Sequence, residues 1–170
     1  MFCASLADVF DNRADPAWRR ALWALVRETP DLDWLMLTKR IGNVSDMLPA
    51  DWGSAYTNVW LGISVVNQAE ADRDIPKLLA VPAARRWLSL EPLLGPVTLA
   101  QRAPLIAWVV VGGESGRLAR PMARQWVQEI RAECDAAGTA FFFKQWGGAD
   151  KSKGGCRLAG EEAKAWPLTA

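Results

Sequence analysis

The stretch WVVVGGESG, Trp108 to Gly116, runs four apolar residues into two glycines, a glutamate and a serine. An apolar run without alternation suits a strand covered on both faces, as in a parallel sheet. The same form recurs as WLMLTKR from Trp34, WLGISVV from Trp60 and WLSLEPL from Trp87. Each run reaches a polar residue or glycine four positions after its tryptophan, at Thr38, Ser64, Glu91 and Gly112. MFCAS at the start and AFFFKQW over Ala140–Trp146 bring the number of strands to about six.

Helical patterns lie between several of these runs. Asp15 is an N-cap and Pro16 a first helical residue for PAWRRALWALVRE, with Trp18, Leu22, Leu25 and Val26 on one face. Asn67 to Glu70 has the form of a capping box opening a helix that Pro76 should bend or split. Met122, Trp126, Ile130 and Cys134 recur every four residues in a segment that ends at Gly138, a natural C-terminal glycine. Residues 40–48 form a weaker helical pattern, and only a loop or one short turn is readable between Glu91 and Trp108.

Strand and helix thus alternate, which predicts an α/β fold: a parallel sheet of about six strands in βα repeats with right-handed crossovers. Periodicity leaves an open doubly wound sheet and a complete or partial (β/α) barrel as alternatives. Residues 1–147 read as one domain, and residues 148–170 as a Gly- and Lys-rich surface tail with a turn at LAGEE.

The composition narrows the chemistry. The 170 residues are 51% hydrophobic and 23% charged, with a net charge of +1, so no global field draws the chain to nucleic acid or an acidic membrane. No apolar run is long enough to span a bilayer, and the expected location is the cytoplasm. Histidine is absent, which excludes Ser-His-Asp, Cys-His and His-ligated zinc chemistry for this chain alone. Cys3, Cys134 and Cys156 are widely spaced and fit a reducing compartment better than a disulfide framework or a metal site.

In parallel α/β folds, ligands bind outside the carboxyl ends of the strands. The residues there are Ser5 and Asp8, then Thr38, Lys39 and Arg40, then Ser64, Glu91, the run Gly112, Gly113, Glu114 and Ser115, and finally Lys144 and Gln145. Glu91, Glu114 and Lys144 are the candidate catalytic groups. Ser5, Asp8, Lys39, Arg40, Ser64, Gly112, Gly113, Ser115 and Gln145 are candidates for holding a cofactor or substrate. Each glutamate could equally form a structural ion pair with a neighbouring cation. Gly112-Gly113 lacks the spacing of a dinucleotide or phosphate loop. Cations at the start of the helix after Thr38 oppose its dipole, which favours an anionic ligand there. The strand-opening tryptophans should plug the far end of the core, while Trp146 lies at the rim, where it could stack on a ligand.

The ordered series FCASLADVFD, LTKR, VWLGISV, LSLEPLLGPV, VVVGGESG with ARPM, and FFFKQWG resembles a family of uncharacterised phage and bacterial proteins related to radical S-adenosylmethionine enzymes. The resemblance covers nearly the whole chain, through LAGEE and WP in the tail. It implies a partial TIM-like barrel, S-adenosylmethionine as cofactor and a three-cysteine motif holding a [4Fe–4S] cluster in full-length members. It also implies that the Gly112–Glu114 element meets the cofactor's methionine or ribose part, that Lys39, Arg40 and Lys144 hold carboxylates, and that Glu91 orients substrate or moves a proton.

This sequence starts after the point where the cysteine motif would end, so the chain is expected to be a fragment or a shortened member. It would then lack its first βα unit and hold no cluster or other cofactor by itself. Catalytic inactivity is expected, together with a second copy covering the edge strand at residues 2–5. Two other functions stand beside this one. The first is a nucleotide- or nucleic-acid-binding module using the rim, and the second a cofactor-free hydrolase or lyase built on Glu91 and Glu114.

Overall fold

The computed structural model describes residues 1–3, 7–149 and 154–167. Six strands form one sheet in chain order: β1 (Phe2–Cys3), β2 (Trp34–Thr38), β3 (Val59–Ser64), β4 (Arg85–Leu90), β5 (Trp108–Gly112) and β6 (Ala140–Gln145). Every neighbouring pair is parallel. The sheet curls into a half-barrel, which decides between the alternatives in favour of a partial (β/α) barrel.

The connecting helices are α1 (Pro16–Glu28), α2 (Ile41–Met47), α3 (Gln68–Ala80) and α4 (Arg124–Ala137), with a 3₁₀ segment over Ala100–Leu105. Their ends carry the predicted caps. Asp15 accepts from the Ala17 N–H, Asn67 accepts from the Glu70 N–H, and Gly138 closes α4 at φ 69°. Pro76 lies inside α3 without splitting it, because Ala71, Ile75 and Leu78 are fully buried on both sides of it. The apolar face of α1 differs from the expected one. Trp23 and Val26 enter the core, whereas Trp18 is 71% exposed and Leu25 also faces solvent.

Alternation along each strand separates two apolar layers. Met36, Leu61, Ile63, Leu88, Leu90, Val109, Val111 and Phe143 point outward into the main core under the helices. Leu35, Trp60, Trp87, Trp108 and Val110 line the concave face, joined by Leu37 and Phe142. Register explains why one opening tryptophan behaves differently. Leu35, not Trp34, is level with Trp60, so Trp34 turns outward and donates its indole N–H to Thr29. The other three form an inward-facing aromatic floor.

The described part of the tail, residues 154–167, packs on the sheet. β7 (Arg157–Leu158) and β8 (Glu161–Glu162) form a small antiparallel pair, and Leu158 is buried. The following residues run antiparallel beside β6, with the Phe143 N–H donating to Ala163 at 2.6 Å and the Ala165 N–H to Phe141 at 3.0 Å. One edge of the sheet is therefore covered by the chain itself. The other edge is β1, whose Phe2 is 47% exposed. No helix among the described residues is long and apolar enough to cross a membrane.

Candidate functional site

Because all strands are parallel, their carboxyl ends gather the predicted polar residues at one opening of about 840 Å³. Asp8, Thr38, Lys39, Arg40, Ser64, Glu91 and Lys144 line it, with Ser89 below. Ser5 lies outside the described residues. An adjoining recess of about 450 Å³ is bordered by Glu91, Gly113, Glu114, Ser115, Lys144 and Gln145.

Three polar groups divide the rim. The first is a knot around Asp8, whose carboxylate accepts from the Thr38 hydroxyl at 2.8 Å, the Phe10 and Lys39 N–H groups, and Arg40 Nη1 at 3.2 Å. Arg40 Nη2 also meets Asp11 at 2.9 Å. The cation at the start of α2 is thus compensated by two carboxylates of the chain itself, and the charge mismatch needs no external anion. Asp8 and Arg40 shape the opening, while the Lys39 side chain borders it without an ion pair to either aspartate.

The second group is central. Lys144 Nζ lies 3.0 Å from Glu91 Oε2, the Ser89 hydroxyl donates to Glu91 Oε1 at 3.3 Å, and the Ser64 hydroxyl donates to the Glu91 carbonyl at 3.4 Å. Gly112 makes room for this pair, since a Cβ there would stand 2.7 Å from Glu91 Oε2. Ser89 is the second-last residue of β4, in phase with Trp87, and so faces the concave side, where it meets Glu91 just past the strand. That alternation was available in the sequence as a signal for Ser89.

The third group answers what the double glycine does. A Cβ on Gly113 would fall 1.9 Å from the Trp146 carbonyl oxygen, and one on Gly147 would fall 2.1 Å from the Glu114 carbonyl oxygen. The two backbones touch and exchange bonds, Gly113 N–H to Gln145 O at 2.9 Å and Gly148 N–H to Glu114 O at 2.7 Å. The GGES segment is a tight seam between β5 and β6, not a phosphate cradle.

Glu114 is gripped by Arg120, which donates two guanidinium bonds at 2.8 Å and its backbone N–H at 2.9 Å. These bonds lower the Glu114 carboxyl to about 2. It therefore holds no proton to donate at neutral pH. Trp146 is similarly engaged, with Phe143 at 4.7 Å, Arg124 at 4.9 Å and its indole N–H on Arg157. Arg120 belongs to the ARPM segment, but its role depends on the loop that returns it to Glu114.

The Glu114 clasp gives a signed pH prediction. A carboxyl lowered on folding contributes stability above its unfolded value near 4.5, and that contribution disappears as pH falls toward 2. Urea unfolding should therefore show Arg120→Ala less stable than the parent at pH 6, with the gap closing by pH 2. An equal gap at both values would contradict an ionic origin.

A family model described as a protein of unknown function, DUF5131, matches residues 1–167. The chain belongs to the DUF5131 family. No curated protein and no solved structure matches it.

The cysteines of this DUF5131 protein do not fit an iron–sulfur cluster. Such a cluster needs three thiolates converging on one point. Cys3 lies on β1, Cys134 is buried in α4, and Cys156 precedes β7. Burial pushes the Cys134 thiol up to about 12. Among the described residues, no group of three or more Cys, Asp or Glu side chains is placed to hold a metal ion.

Proposed function

We propose that this DUF5131 chain is a ligand-binding barrel unit of the radical S-adenosylmethionine type and, against the expectation from the sequence that it holds no cofactor by itself, that it binds S-adenosylmethionine across the opening of its half-barrel. The observation that carries this reading is the convergence of Lys39, Ser64, Glu91 and Lys144 on one space of about 840 Å³. That volume suits a small-molecule ligand, and the groups supply a cation, a hydroxyl and an ion pair. Lys39 and Ser64 would meet the cofactor's carboxylate and polar groups, while Glu91 and Lys144 face the substrate. The chain's own three cysteines lie on separate elements and supply no converging set of cluster ligands.

The test is calorimetric titration of the full chain with S-adenosylmethionine. A Kd of about 100 μM or tighter is expected, weakened roughly tenfold in Lys39→Ala. No heat at millimolar ligand, or an unaltered affinity in Lys39→Ala, would overturn the assignment. Nucleic acid is the weaker reading, since Asp8 and Asp11 hold Arg40 and Glu91 holds Lys144.

The proposal includes a second copy across β1. The opposite edge is covered by residues 163–165, whereas Phe2 of β1 and the preceding Met1 are 47% and 54% exposed. Light scattering should give twice the 18.7 kDa chain mass. A stable monomer at micromolar concentration would remove this part.

A further inference from the structure

Below the Glu91–Lys144 pair the concave face becomes apolar. A basin of about 450 Å³ is lined by Phe2, Trp87, Trp108, Phe142 and Trp166, with Glu91 and Lys144 at its border. Trp87 and Trp108 are almost fully buried and have their indole N–H groups committed, to the Trp60 carbonyl at 3.2 Å and the Ala165 carbonyl at 2.9 Å. They therefore form an apolar floor with no free donor, and the exposed ring surface of the basin belongs to Phe2 and Trp166. Trp166 is carried over this floor by the strap at residues 163–165 beside β6 and stacks on Trp108 at 4.5 Å and 27°. It remains 58% exposed, so little of its ring is committed to the core.

The two ends of this compartment ask for different chemistry. The aromatic floor favours a flat ring, because ring pairs gain from stacked and edge contacts beyond simple area burial. The ion pair at the border offers an acceptor and a donor together. Glu91 accepts from Lys144 and from Ser89, and a carboxylate has about four acceptor positions. The Lys144 ammonium has three N–H donors, so it can retain Glu91 and still meet a second carboxylate. An α-amino acid head complements this pair without breaking it, its ammonium toward Glu91 and its carboxylate toward Lys144.

We propose that the basin is the substrate subsite of this half-barrel and that it takes an aromatic amino acid, or a molecule ending in one. The ring lies beside the exposed faces of Phe2 and Trp166, over the floor that Trp87 and Trp108 form, and the zwitterionic head spans Glu91 and Lys144. The inference deepens the proposed function, since it treats the concave face as a ligand site and assigns the space that Lys39 and Ser64 leave free.

Calorimetry on the full chain tests it, with L-tryptophan, L-leucine and indole as probes. L-tryptophan should bind one per chain, and leucine, without the ring, and indole, without the head, should each bind at least about tenfold more weakly. Trp166→Ala, which removes a largely exposed side chain, and Lys144→Met should each weaken L-tryptophan about fivefold or more. S-adenosylmethionine affinity should be unchanged in Trp166→Ala. Equal affinity for leucine and tryptophan, or an unaltered tryptophan affinity in folded Trp166→Ala, overturns the subsite. Dissociation of a dimer by Trp166→Ala overturns it too, by assigning the basin to contact between copies. Binding of S-adenosylmethionine without any amino acid binding ends this inference and leaves the proposed function intact. Tryptophan binding with these dependences, but no S-adenosylmethionine binding, supports the basin and removes the cofactor assignment.

Discussion

Gly113→Ala should be among the most damaging single-methyl substitutions in this protein, lowering stability by about 3 kcal/mol or more. The added carbon would sit 1.9 Å from the Trp146 carbonyl oxygen and 2.6 Å from its carbonyl carbon. Both obstacles are backbone, so no rotamer change relieves the overlap. The Gly113 N–H to Gln145 bond and the Gly148 N–H to Glu114 bond cross the same seam and would be strained with it. For a chain of this length the loss corresponds to a drop of roughly 6–12 °C in Tm. Gly42→Ala is the matched control. Gly42 lies within α2 with nothing inside 4 Å of its added carbon, so alanine there should be neutral or stabilising by up to about 1 kcal/mol. Thermal and urea unfolding of both variants measure the contrast, and equal behaviour would mean that the seam is not tight.

Trp87→Ala should cost about 3–5 kcal/mol, the usual range for emptying a large buried aromatic site. Trp87 is 2% exposed, donates to the Trp60 carbonyl, and packs edge-on to Phe2 at 5.9 Å and near Trp108 at 5.6 Å. Its indole lies over Gly62 on the neighbouring strand, where a Cβ would meet Cε2 at 2.3 Å. That contact makes the prediction specific. Gly62→Ala should be strongly destabilising in the parent and nearly harmless once Trp87 has become alanine, a coupling of about 1–3 kcal/mol. Additive effects in urea unfolding of the double variant would refute the interlock. Trp18→Ala, at a position 71% exposed, should change stability by no more than about 0.5 kcal/mol.

Much of this architecture was legible because local rules and the tertiary fold agree. Asp15, Asn67 and Gly138 cap helices through contacts within a few residues. The four Trp-led runs are strands because each is apolar on both faces, and a parallel half-barrel covers both. The candidate site was legible in part for the same reason. Strand ends converge in any parallel α/β layout, so Thr38, Lys39, Ser64, Glu91 and Lys144 reach one opening. Their partners were less readable. Arg120 reaches Glu114 through a loop, Asp11 reaches Arg40 across 29 positions, and Trp166 enters the concave face from the far end of the chain. None of these pairings follows a fixed period.

The amino-acid sequence by itself determined the alternation of strands and helices, the helix caps, the polar ends of the strands and the absence of histidine chemistry. Only the tertiary structure decided that the sheet is a half-barrel, that Trp34 turns outward while three other tryptophans turn in, and that Glu114 belongs to Arg120. It also decided that the double glycine is a seam between backbones and that the C-terminal segment covers β6. The division has one physical cause. Caps and periodicity act between residues a few positions apart, whereas register, curvature and loop closure depend on which distant segments come to lie side by side.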